Sequence, residues 1–240
     1  MVIRADGFWA QAEALPSRSL DEILAPGGVL VLAPHPDDES LGCGGLIAAA
    51  VAAARRVRVV FISDGAASHP AHRAVGLPAR RETEARQALR RLGVADGAVF
   101  LGLPDSRVPG AGPAFAEAVA RIAAEATAID AGTVLATWAH DPHGDHQACA
   151  AMQAALPPGR RHLAYAVWGH ALPPETPLPG PPRGAWLDIA PWLPAKTQAI
   201  QAHRSQLGDL PEGFALDAAM LARAARPAEL YLEAQASPSR

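Results

Sequence analysis

Residues 28–33 read Gly-Val-Leu-Val-Leu-Ala, six positions without a polar side chain. So short and uniformly apolar a run fits a strand buried on both faces of a parallel sheet. The pattern then lengthens into an alanine-rich stretch near Leu41–Arg55, which predicts a helix. A second apolar run, Val57–Ile62, predicts a strand that ends at Ser63-Asp64-Gly65. Ala66–Pro78 has no periodicity and reads as a loop. Its length, near the top of the usual ~12–15 residues, suggests an active-site loop. A helix is predicted over Ala79–Leu92, stopped by Gly93 as a C′ glycine. Next come a short strand Ala98–Leu101, a helix Ala114–Thr127, a strand Thr133–Thr137, the His-rich loop Trp138–Asp145 and a helix running to Leu156. A strand Leu163–Trp168 precedes the Pro-rich stretch Leu172–Arg183, which reads as a loop and a candidate lid, not a domain linker. A strand Ala185–Ile189, a helix Leu193–Leu207, a weak helix Asp217–Arg226 and a short strand Glu229–Glu233 complete the series. Repeated β-α-β units predict an α/β fold. The expectation is a single Rossmann-like domain over residues 1–240, its mostly parallel sheet covered by helices on both faces.

Composition narrows the function. The 240 residues are 50% hydrophobic and 19% charged, an ordinary globular balance. A net charge of -3 with no basic block disfavours nucleic acid and anionic membranes as partners. No window approaches the roughly 18 consecutive apolar residues of a membrane span, and Met1–Asp6 lacks the apolar stretch of a signal peptide. The two cysteines, Cys43 and Cys149, form neither a Cys-x-x-Cys pair nor a disulfide framework, so a cytoplasmic location is expected. Homo-oligomerisation is left open. The single lysine, Lys196, reads as genome base composition.

Two clusters carry the chemistry. Pro34-His35-Pro36-Asp37-Asp38-Glu39 follows the first strand, and His140-Asp141-Pro142-His143-Gly144-Asp145-His146 follows the strand Thr133–Thr137. Both therefore sit at carboxyl ends of predicted parallel strands, where open α/β sheets form their ligand crevice. His35, Asp38 and His146 are the expected ligands of a divalent ion. Residues 35 and 38 lie one turn apart, and mixed N and O donors with open positions suit catalytic zinc, with iron or another divalent metal as alternatives. Asp37 should point elsewhere, stay free and act as general base. His143 would stabilise an oxyanion or, protonated, supply a leaving amine with a proton. Asp145 would fix an imidazole tautomer. Glu39 is read as a helix-terminal acid. His140 could exchange roles with His146, but His146 starts a helix and is preferred. Gly42-Cys43-Gly44-Gly45 lacks nucleotide-loop spacing and implies close backbone packing, with both cysteines as small hydrophobes. His69, His72 and His162 are expected at the surface. His170 and His203 are open, and Trp138 and Trp168 are either core residues or stacking platforms.

These motifs resemble the PIG-L/LmbE-like zinc N-deacetylases. Residues 34–39 match the family's [AP]-H-P-D-D-E signature, and His143-Gly144-Asp145-His146 its H-x-D-H. Ser63-Asp64-Gly65, Arg81-Glu82-Thr83-Glu84 with Leu92-Gly93, Pro104-Asp105-Ser106 and Lys196–Gln206 look like its secondary motifs. The resemblance covers roughly residues 28–206. It implies Arg81 and Asp105 as substrate-binding residues, the rival reading for Arg81 being a solvated helix face. One departure is the lack of a tyrosine between Trp138 and His146. The expected function is a zinc-dependent amide hydrolase, a deacetylase of an N-acetylated small molecule such as an N-acetylglucosamine-type glycoside. The rivals are a deacylase of a non-sugar amide or ester, a non-catalytic small-molecule binder and a dinucleotide-binding protein.

Overall fold

The apolar run at residues 28–33 becomes an interior strand, third from one edge, of a seven-stranded sheet. The computed structural model describes residues 2–70 and 74–234, so the expectation for His72 lies outside the described residues. In chain order the elements are β1 (Ile3–Arg4), α1 (Ala5–Glu13), α2 (Leu20–Ile23), β2 (Gly28–Ala33), α3 (Asp38–Ala52), β3 (Val57–Ser63), α4 (Leu77–Arg91), β4 (Ala98–Leu103), α5 (Pro113–Ala128), β5 (Ala131–Thr137), α6 (Gly144–Ala154), β6 (Arg161–Tyr165), β7 (Pro177–Leu178), β8 (Gly184–Asp188), α7 (Leu193–Ala202), α8 (Ala218–Ala224) and β9 (Ala228–Glu233). The sheet order is β4-β3-β2-β5-β6-β9-β8. β2 through β6 are mutually parallel, and β9 runs antiparallel to both β6 and β8. The chain winds outward from β2 to β4, then crosses back to β5. The β2/β5 junction is therefore a topological switch point.

Strand alternation divides the core. Val29 and Val31 of β2, with Val59 and Phe61 of β3, face α3, α4 and α7. Leu30 and Leu32, with Val60 and Ile62, face α5 and α6. With both faces covered, uniformly apolar strands are required.

Sequence and structure differ at the two ends of the chain. The first 27 residues, to which the pattern assigned nothing, form β1, α1 and α2. The Pro-rich stretch is not purely loop, because β7 within it pairs with β1. Thr176 and Pro174 accept the first amides of α1, and Leu178 is buried beside Phe8. No residue of the stretch lines the cleft described below, so it is a brace for α1 and not a lid.

Helix α3 is two helices joined at Cys43, whose backbone is non-helical. The break frees amides at the start of the second half. The buried Glu229 of β9 accepts the amides of Gly45 and Leu46, each at 2.8 Å, and is paired with Lys196 at 2.7 Å. Here the glycines permit close packing. A Cβ on Gly42 would lie 2.1 Å from the Tyr165 ring, and one on Gly45 would lie 2.6 Å from Ile189. Gly42→Ala should lower the unfolding free energy by about 2 kcal/mol through overpacking. Urea denaturation checks this, and an unchanged midpoint would refute it.

Candidate metal centre

His35 to Asp38 leave the carboxyl end of β2 and enter α3. Asp37, the N-cap residue, has φ 149° and ψ -29°, a strained conformation for a residue with a Cβ. The twist sends adjacent carboxylates in opposite directions. Asp38 turns toward the end of β5, its Oδ2 lying 3.2 Å from His35 Nδ1 and 3.4 Å from His146 Nε2. Asp37 turns toward α4, where its Oδ1 meets Arg81 Nη2 at 3.2 Å.

One donor atom from each of His35, Asp38 and His146 lies within 4.8 Å of the others. Each imidazole has its remote nitrogen held by a carboxylate. His35 Nε2 lies 3.1 Å from Asp145 Oδ2, and Asp145 is fixed by the amides of Ser106 and Val108. His146 Nδ1 lies 3.0 Å from Asp141 Oδ2, which also accepts the amides of Val167 and Trp168. Hydrogen bonds of this kind fix which ring nitrogen keeps its lone pair. In both rings the lone pair then faces Asp38. His146 is fully buried, and its Nε2 has no hydrogen-bond partner. An orphaned, buried nitrogen aimed at a carboxylate and a second imidazole fits a divalent cation. His35, His143 and Asp145 form an overlapping group, but Asp145 is already occupied by two amides.

The electrostatics follow from this crowding. Burial opposes charging His146, yet Asp38 and Asp141 hold its pKa up at about 9 in the metal-free chain. Burial lifts Asp37 to about 6, against the pull of Arg81. For Asp105, burial is outweighed by its contacts with His35, the Ala67 amide and Arg81, which bring it to about 2. Burial, with the charges of His35 and His146, lowers His143.

Several expectations change here. Asp37 is not free but paired with Arg81. Arg81 is not on a solvated helix face; it is 2% exposed and donates to Gly65 O and Pro36 O as well as to Asp37 and Ser68 Oγ. Four of its five N–H groups are thus directed at the protein, which suits holding Asp37 better than reaching a substrate. Asp105 accepts the Ala67 amide and lies 3.2 Å from His35 Nε2, so its carboxylate serves the cluster while bordering the cleft. His143 Nδ1 accepts the Asp145 amide at 3.2 Å, which puts the proton of the neutral ring on Nε2. That tautomer is a hydrogen-bond donor, not the imidazolium that the acid role requires.

The remaining aromatic and histidine residues sort by burial. His69 is buried, not at the surface, with Gly213 against its ring. His162 is half-buried in β6. His203 is buried and bonds Glu39 at 3.0 Å, while Glu39 also accepts the Asp37 amide, so Glu39 does more than complement a helix end. His170 stacks on Trp9 and His140 packs against Trp138, both outside the cleft. Trp138 is core, stacked on Phe8, whereas Trp168 lines the cleft. Tyr165 and Tyr231 are spent on Leu32 O and Glu229. Asp141 was visible in the second cluster but given no role. Its sign is its place five residues before His146, on the loop that His146 closes.

The cleft above the cluster is about 310 Å³. Its floor is His35, Asp37, Asp38 and His143. A strap of residues 207–217 covers it through Phe214 and Leu216, and Met220 of the following α8 adds to the cover, none of the three singled out by the sequence pattern.

A crevice at the switch point of a parallel sheet, set over a buried cluster of two imidazoles and a carboxylate, defines an α/β protein with a candidate metal centre. The chain belongs to the PIG-L family, described as GlcNAc-PI de-N-acetylase, whose family model matches residues 30–156. A 2'-N-acetylparomamine deacetylase of Streptomyces fradiae is 36% identical over 169 residues, covering 63% of this chain and 60% of the relative. The chain thus spans about three-fifths of that relative's length. Among solved structures, an N,N'-diacetylchitobiose deacetylase from Pyrococcus horikoshii shares the fold with a TM-score of 0.59. It is 22% identical, with 76% of this chain and 72% of that one covered. The A40926 pseudoaglycone deacetylase Dbv21 aligns with a TM-score of 0.64 and 24% identity, over 89% of this chain and all of that one. Among the described residues, no helix is long and apolar enough to cross a membrane.

Proposed function

We propose that this protein is a metal-dependent amide hydrolase that removes an acyl group, acetyl in the simplest case, from the amino group of an amino sugar or glycoside. The observation that carries the reading is the orphaned, buried Nε2 of His146, facing Asp38 and His35 while Asp141 and Asp145 hold the far side of each ring. His35, Asp38 and His146 would hold zinc, or iron or another divalent metal. When bound, the metal would polarise the amide carbonyl and favour ionisation of water. Asp37 Oδ takes the proton of the attacking water and passes it to the leaving nitrogen. Arg81 aims that carboxylate and keeps it ionised. His143 Nε2–H donates to the carbonyl oxygen as negative charge develops there. The unpaired, buried thiols of Cys43 and Cys149 agree with a reducing cytoplasm. The sugar class comes from the relatives, a paromamine and a chitobiose deacetylase.

Amine release from an N-acetylglucosaminide should vanish after chelation and return with zinc. Release that persists in metal-free protein would sink the reading. Asp141→Asn should keep the fold but weaken metal affinity about 10–100-fold, because His146 loses its orienting carboxylate. Competition with a chromogenic chelator measures this, and an unchanged affinity would remove Asp141 from the centre.

A further inference from the structure

The cleft has a polarity that follows the strand order. β4 and β3 lie on one side of β2, and the loop after β4 supplies Asp105 and Ser106 to the wall. The candidate metal ligands hang from β2 and β5 in the middle. β6 lies on the other side, and after it the lining turns apolar with Val167 and Trp168. Leu41 of α3 and Met220 of α8 extend this apolar side. Leu41 is three residues after Asp38 on one helix, so the apolar side begins within a side chain's reach of the ligand atoms. The backbone of Val167 and Trp168 is bonded to the same Asp141 carboxylate that holds His146, which ties this side to the cluster. Leu41, Val167 and Met220 also border an adjoining hollow of about 70 Å³, whose far side carries Lys196, Arg223 and Glu229, so the apolar wall ends there.

An amide straddling the centre has two flanks, its amine and its acyl group. Sugar hydroxyls turned toward Leu41, Val167 and Met220 would lose water without gaining partners. Turned toward Asp105 and Ser106 they find an acceptor carboxylate and a hydroxyl. The acyl group then lies on the apolar side, and an acetyl methyl would leave most of that side uncovered. Resting on the amide-hydrolase reading above, we infer that the enzyme is a deacylase for N-acyl groups longer than acetyl, with the chain lying along Leu41, Val167, Trp168 and Met220. The balance is ordinary hydrolysis: water oxygen bonds the acyl carbon, the C–N bond breaks, the amine takes the proton, and the alkanoate leaves.

The test is kcat/KM of the zinc-loaded enzyme for N-acetyl-, N-butanoyl- and N-hexanoylglucosamine, read by amine release. Burial of each of the four added methylenes should raise it about threefold, on the order of 80-fold across the series if all are buried and at least about tenfold if only half are. Met220→Glu should flatten the series, and Met220→Ala should reduce its slope. Independently of turnover, calorimetry should find hexanoate bound at least about tenfold more tightly than acetate, with the preference lost in Met220→Glu. A flat or falling series with measurable acetyl turnover overturns the inference and leaves the hydrolase reading intact. A flat series with a gain from an aryl aglycone does the same, assigning the apolar side to the aglycone. No amine from any member overturns both.

Discussion

His146→Ala should reduce bound metal from about one ion per chain to near zero and lower activity on the order of 10³-fold, with the fold retained. His146 supplies the one donor atom in the cluster that is fully buried and has no other partner, so nothing local can replace it. Loss of metal removes carbonyl polarisation and water ionisation together, several kcal/mol of transition-state stabilisation. The fold should survive because the helix is still anchored in the core by Ala148, Cys149 and Met152. Elemental analysis, read beside circular dichroism, decides the matter. Full metal content in a folded His146→Ala protein would remove this residue from the centre.

Asp37→Asn should keep its metal and still lose activity by about 10²–10⁴-fold, the range for a general base. Asp38→Asn, one position along, should lose the metal. This separation is a consequence of the strained turn at Asp37, which sends the two carboxylates to different partners. The pH profile adds a check. Asp37 works ionised, so activity falls as pH drops through its pKa. Burial lifts that pKa to about 6 without metal, and a bound cation lowers it, so the acid limb should lie at or below about pH 6. Arg81→Ala should move that limb to higher pH and lower kcat more than it raises KM. A nearly active Asp37→Asn, or an Arg81→Ala change confined to KM, would refute this division of labour.

Much of this was legible in the sequence, for physical reasons that differ from element to element. A strand such as β2, buried on both faces, must be uniformly apolar, and 28–33 announces itself. The two histidine clusters could be placed on one sheet edge because parallel strands share the direction of their carboxyl ends. Side-chain direction was not legible. Arg81 looked equally able to reach water, substrate or Asp37, since nothing in the helix pattern says where a long guanidinium stem points. Asp141 and Asp145 are chemically alike in sequence, and only the packing of Val167 and Trp168 shows that one of them holds His146. The strap carrying Phe214 and Leu216 has too little periodicity to signal an element. The N-terminal helix α1 was missed because its apolar face is completed by β7 and Trp138, far along the chain.

The broken helix α3 bears on how this protein could be cut or recombined. The family match ends at residue 156 and holds every candidate ligand, yet the second half of α3 is capped by Glu229, which is paired with Lys196. Glu39, next to the ligand Asp38, is paired with His203. A transplant of residues 30–156 into another scaffold would carry all the donor atoms and leave their platform unmoored, with two amides uncapped and an acid without its imidazole. The unit that can be exchanged between such proteins is therefore not the stretch in which the motifs are written but the longer one that closes on the last strand.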